Sequence, residues 1–278
     1  MIRAAQRDDI LERAYVPEHL PDYVTAITGA EPFLAGDYLL YLDGERLVFI
    51  GYALQGGVDE PGLDAALKGA MARFMPTVVS VIAAARPAAL PGSQLSPPDA
   101  YYRLDLRSLQ PSKKLRNMLK RAGSELSVEM GQAFTRQHKK LVDDFVRQRR
   151  LDWSTRAIFH NLPAYLKSPG AWIFSARDRR GELAAFDVVD FSARHYAFYL
   201  FNFRSRKRHV PGASDLLLDS AIQRARAEGK HSLNLGLGLN PGVTFFKTKW
   251  GGVPFLPYQA CLHEAEREDT WGEMLGKL

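Results

Sequence analysis

Apolar residues recur along this chain with periods of two and about 3.6, and the switches between the two mark out its elements. Residues 37–42 and 46–53 are short apolar runs flanking Asp43-Gly44, a dipeptide suited to a tight hairpin turn. Residues 62–74 follow the helical period. TVVSVIAAA, at 77–85, is apolar almost throughout, as a buried strand would be. A proline-rich run over 86–100 reads as a loop, and residues 101–106 form the next strand. The helix expected over 112–122 places Leu115, Met118, Leu119 and Ala122 on one face and five basic residues opposite.

The second half is more regular. Phe134, Leu141, Val142, Phe145 and Val146 give residues 134–148 one apolar helical face, and a further helix is expected over 155–166 despite Pro163. Three strands follow in quick succession, 171–176, 182–191 and 195–203, a spacing that predicts an antiparallel meander. A helix over 213–228 turns Leu218, Ala221, Ile222 and Ala225 inward and stops at Gly229. The strand 232–237 is reached through that crossover helix, so it is expected to run parallel to its predecessor. It leads into a Gly/Asn/Pro loop, a short helix carrying Phe245, Phe246 and Lys247, then Trp250-Gly251-Gly252 and a last strand with Tyr258. The predicted class is α/β with a mixed sheet.

Composition narrows the possibilities. A length of 278 residues fits one large domain or two of about half that size. Charged residues at 24% and hydrophobic ones at 46% are ordinary for a soluble globular protein. No apolar run approaches a membrane span, and the N-terminus meets charge before any signal-peptide core, so a cytoplasmic location is expected. Cys261 is the single cysteine, which excludes an internal disulfide. The seven histidines have no metal-ligand spacing, and there is no phosphate-binding loop or dinucleotide fingerprint, so no metal is expected.

Charge adds a partner class. The net charge is +6, yet residues 113–150 hold eleven basic and four acidic side chains, so that window is +7 and the rest sums to −1. Few aromatics interleave with these cations, which fits a phosphate-tracking surface better than a reader of stacked bases. The partners this suggests are tRNA, a nucleotide-linked substrate or anionic lipid. A second cationic run precedes the helix that starts at Ala213. Arg204, Arg206 and Arg208, with a Pro-Gly that lets the backbone approach a phosphate at Gly212, form a candidate donor-binding loop.

Candidate chemistry gathers in 231–263. Gly236 and Gly238 line an opening at a strand end, beside Phe246, Lys247 and Trp250, an arrangement suited to acyl transfer. Aminolysis of an ester or thioester needs a neutral amine, a route for its proton and stabilisation of the tetrahedral oxyanion. Lys247 is the candidate for the last role and Tyr258 for proton donation. Gly236, Gly238, Phe246 and Trp250 are expected to bind the donor. Asp187 and Asp190, in an otherwise apolar strand, read first as a solvated sheet face, with one of them facing the cleft to bind the acceptor amine as the alternative.

The segments GASDLLLDSAIQRARAEGK, SLNLGLG and GVTFFKTKWGG resemble the FemAB-like branch of the GNAT acyltransferase superfamily, which includes peptidoglycan-bridge aminoacyltransferases. The resemblance implies a GNAT-like fold in two tandem halves, here 1–110 and 111–278, with the acyl-transfer cleft in the second. It implies two parallel strands that splay around the donor, with Phe246 and Lys247 at the donor's reacting end. The activity implied is N-acyl transfer from acyl-CoA or aminoacyl-tRNA to a small-molecule or peptide amine. The CoA signature of ordinary GNAT enzymes, Gln/Arg-x-x-Gly-x-Gly/Ala, is not met around Gly212. A catalytically silent GNAT-fold module that binds RNA, anionic lipid or protein through the basic face is the alternative.

Overall fold

The computed structural model describes residues 1–57, 59–149 and 153–264. Arg150, counted in the basic stretch, lies outside the described residues. The chain opens with helices α1 (Ala4–Arg13) and α2 (Pro21–Thr28). Next come strands β1 (Glu31–Ala35), β2 (Tyr38–Asp43) and β3 (Arg46–Ile50), helix α3 (Glu60–Phe74), and strands β4 (Val78–Ala83), β5 (Gln94–Leu95) and β6 (Asp99–Asp105). Helix α4 (Lys113–Glu125), strand β7 (Leu126–Gly131) and helices α5 (Arg136–Arg149), α6 (Trp153–His160) and α7 (Leu162–Tyr165) follow. The meander is β8 (Ala171–Asp178), β9 (Leu183–Asp190) and β10 (Tyr196–Arg204). Helix α8 (Ala213–Ala227), strand β11 (Ser232–Leu237), helix α9 (Pro241–Lys249) and strand β12 (Val253–Glu264) complete the order.

Two compact units share these elements. Of the described residues, one unit holds Glu31–Pro98 and β12 from Tyr258; the other holds Ile2–Ala30 and Asp99–Pro257. The cut expected after residue 110 does not coincide with this division, because the last strand returns to the first unit and α1 and α2 join the second.

In the first unit β1 pairs with β2 and β2 with β3, both antiparallel. The Asp43-Gly44 turn falls where the sequence put it, with Gly44 at φ 56°. Helix α3 then carries the chain to β4, which lies parallel to β3 as a crossover demands. Its start is capped by Asp59, whose Oδ1 accepts from Gly62 N at 3.1 Å. Strand β12 closes the sheet antiparallel to β4.

The second unit is a mixed sheet in the order β6-β11-β10-β9-β8-β7, whose one parallel pair is β10 with β11. Strand β9 is buried at every position. Val189 packs with Leu217, Leu218 and Ala221 of α8, and Phe186 and Val188 pack with Val142 and Leu162 in the other helical cluster. A strand covered by helices on both faces has little room for polar residues, so its aspartates need a separate explanation. The helix expected over 155–166 is two helices, α6 and α7, parted at Asn161. Strand β7 had no clear signal, since only Leu126 is buried along its exposed edge.

The basic helix α4 packs on the first turn of α8. Gly212, at φ 84°, caps α8, and a Cβ placed there would lie 3.0 Å from Met118 Cγ and 3.3 Å from Ala122 Cβ. Both the left-handed backbone and the close approach call for glycine. Gly212→Ala is therefore expected to destabilise the protein by about 1–3 kcal/mol. Chemical denaturation checks this, and an unchanged midpoint would show that α4 gives way freely.

Candidate active site

The site begins where pairing stops. Strands β10 and β11 are in parallel register only at Tyr196–Ser232, Ala197–Leu233 and Phe198–Asn234, after which they no longer pair with each other. Two local irregularities accompany the parting. The β10–β9 register shifts between Tyr199 and Phe201, and the β11–β6 register shifts between Asn234 and Leu237. At the second, Gly236 takes φ 73° and its N–H donates to Asn234 Oδ1 at 2.7 Å. A bulge in each strand turns the two ends away from their shared ladder.

Polar groups are buried under the first turn of α8 on the β10 side. Asn202 donates to Asp187 Oδ1 and to Ser214 Oγ. Asp215 accepts from the Trp250 indole at 2.8 Å and pairs with Lys249 at 2.6 Å. The Tyr199 ring stacks on Phe246 with centroids 6.4 Å apart. Burial pushes the Asp187 carboxyl up to about 8, so at neutral pH it holds its proton. Its Oδ2 and the Tyr199 hydroxyl are both buried, and the two groups bear on each other's protonation.

Lys247 reaches the β11 end from α9. Its amine donates to the Leu237 carbonyl and lies 5.5 Å from the centre of the Tyr102 ring. The residue is 4% exposed, and burial pushes the ammonium down to about 7, against the opposing charge of Asp99. Gly236 and Gly238 make this seat possible for different reasons. A Cβ on Gly236 would be 3.9 Å from the Lys247 Nζ, so its requirement is the positive φ; one on Gly238 would strike Asp99 Oδ1 at 2.6 Å.

The other candidates are dispersed. Arg204 ends β10, and Arg206 is exposed in the loop beyond. Arg208 turns to the β8–β9 connection, 3.0 Å from Asp178 and 3.4 Å from Glu182, so two carboxylates already hold its charge. Tyr258 stands on β12 in the first unit, whereas Phe246, Lys247 and Trp250 gather in the second. Sequence reasoning missed Tyr199, Asn202, Asp215 and Asp99. Only Asp187 carried a signal, as an acidic residue in an apolar strand. Two open clefts lie elsewhere. One of about 440 Å³ beside α3 is lined by Tyr38, Ala66 and Phe74, and one of about 400 Å³ is lined by Arg7, Trp172 and Arg224.

No protein-family profile matches the chain, and no curated protein matches it. Solved structures do. L-PGS from Bacillus licheniformis is 17% identical, with 98% of this chain and 95% of that one covered at a TM-score of 0.61. FemX is 10% identical, covering 93% and 96% at 0.58. A tandem GNAT protein from the clavulanic acid biosynthesis pathway is 13% identical, covering 95% of each at 0.55. At these identities the likeness is one of fold. The chain shares the fold of these three structures, a tandem GNAT protein among them.

The burial of Lys247 has a consequence for stability. Unfolding restores the ordinary value of 10.5, so between about 7 and 10.5 the unfolded chain binds the extra proton and stability rises with pH. Below about 7 the full penalty applies, on the order of 5 kcal/mol before the Leu237 hydrogen bond offsets part of it. Lys247→Met is expected to raise the melting temperature at pH 6, with the gain shrinking toward pH 10. Thermal melts across that range check it, and a gain equal at every pH would place the ammonium in solvent.

Proposed function

We propose that this protein is an N-acyltransferase that moves an aminoacyl group from tRNA to an amine acceptor at the β10–β11 opening. The observation that carries this reading is the buried amine of Lys247 at the parted end of two parallel strands. A neutral acceptor amine attacks the ester carbonyl, the new C–N bond forms, and the ester C–O bond breaks. The amine proton passes to the departing ribose oxygen. Lys247 as an ammonium steadies the oxyanion, in a dry setting where one charge counts for more than in water.

Two features favour tRNA over CoA as donor. Tyr199 stacked on Phe246, and Trp250 bonded across to Asp215, fill the ground between β10, α8 and α9 and leave less room for an extended thioester arm. The loop also lacks the CoA signature. Meanwhile Lys113, Lys114, Arg116, Lys120 and Arg121 of α4 are exposed beside α8. That suits phosphate contact whose strength falls steeply with salt.

The test is transfer of a labelled amino acid from aminoacyl-tRNA to a panel of amines, run beside acetyl-CoA. Aminoacyl transfer, with tRNA affinity falling linearly in log salt, is the expected result. Transfer from acetyl-CoA alone would overturn the donor assignment, and tRNA binding without transfer would favour the silent binding module. Lys247→Ala should lower turnover by about 10²–10³. Because Lys247 acts as a cation, turnover should decline as pH rises through about 7. Lys247→Arg, charged at every accessible pH, should lose that decline while recovering only part of the rate.

A further inference from the structure

Asp99 opens β6 and makes more contacts than a strand-end aspartate needs. Its Oδ1 accepts from Ala100 N at 2.7 Å and from Gly238 N at 3.0 Å, and its Oδ2 accepts from Leu239 N at 2.9 Å. Leu239 is held at φ 57°, one of two non-glycine residues with positive φ among the described residues, and its side chain is 72% exposed. Consecutive N–H groups with one residue in the left-handed region form a concave anion seat, and a side-chain carboxylate fills this one. The strain at Leu239 is the cost of aiming both amides at Asp99.

The position of this seat matters. The Leu237 carbonyl, which accepts from Lys247, and the Gly238 N–H, which donates to Asp99, are the two ends of one peptide group. A cation binds the oxygen end and an anion the N–H end of the same dipole. Each contact polarises the amide in the sense that strengthens the other. The Gly238 N–H is shared with the Ala100 carbonyl at 3.3 Å, the longer of its two contacts.

We infer that Asp99 is a positioning residue, which fixes the β11–α9 loop and, through the Leu237–Gly238 peptide, acts as the counter-charge of Lys247. The inference rests on the role given to Lys247 above but is tested without any turnover. Charged and titratable groups around Lys247 are few. Strand β6 presents Asp99 and Tyr102, β10 presents Tyr199, β11 only backbone, and the neighbouring Lys249 is paired with Asp215. Among the described residues, Asp99 is the acid whose charge acts on Lys247.

The experiment follows the protonation of Lys247 by carbon-13 NMR of labelled lysine, its signal assigned by its loss in Lys247→Met. Asp99→Asn removes the charge while keeping the size, and the Lys247 midpoint should move to lower pH by about one unit. Exchange of the Gly238 and Leu239 amides should quicken at the same time. Asp99→Glu, which retains the charge, should restore much of the midpoint. Coupling is reciprocal, so Lys247→Met should also quicken Gly238 exchange in a protein whose Asp99 is intact. An unchanged midpoint in a folded Asp99→Asn protein would overturn the inference, as would Gly238 exchange indifferent to Lys247→Met. Should Asp99→Asn fail to fold, that second measurement decides alone. A failed acyl-transfer assay would leave both readouts intact.

Discussion

The limited pairing of β10 with β11 is the constraint on which the rest of the second unit depends. Three residue pairs hold the strands parallel, and then a bulge in β10 and a left-handed glycine in β11 separate them. Had the ladder continued in the same register, Leu237 would have lain opposite Phe201, where their backbone groups could pair. Because it stops, those groups need other partners, and the chain supplies them from α9 and from the start of β6. Lys247 takes the Leu237 carbonyl, and Asp99 takes the next two amides. The opening is thus filled by side chains whose burial perturbs their chemistry.

Burial acts on two groups there in opposite directions. A lysine cut off from water loses its proton more easily, and an aspartate holds on to it. Lys247 is brought to about 7 and Asp187 to about 8, so both change charge near neutrality. Groups poised in this way cost stability, and perturbed values of this kind cluster at functional sites. Lys249 and Trp250, both bonded to Asp215, tie α9 to the first turn of α8 and so hold Phe246 and Lys247 in place. Most polar side chains there have named partners, and the buried Asp187 and Tyr199 act on each other.

Much of this was legible in the sequence, where periodicity and turn chemistry agree. The meander, the crossover helix and the parallel strand were readable because each has an unbroken apolar face and a clear stop, such as Gly229. Lys247 stood out beside its glycines and aromatics. Other features were not local. Nothing in SPPDAYY marks Asp99 as an anchor for amides nearly 140 positions away, since that contact exists only once β6 lies beside β11. Helices α1 and α2 escaped notice because α1 buries only Ile10. The arginines before α8 look alike in sequence, yet Arg208 is claimed by the β8–β9 turn. The return of β12 to the first unit is likewise a property of the folded chain.

The most direct test of the central claim, that the Lys247 amine meets the transferred carbonyl at the parted strands, is a crystal structure with a stable amide analogue of aminoacyl-adenosine. The account predicts the analogue's carbonyl oxygen within about 3 Å of the Lys247 Nζ, displacing or sharing its bond to Leu237. An analogue bound away from the β10–β11 opening, with Lys247 still closed on Leu237, would contradict it.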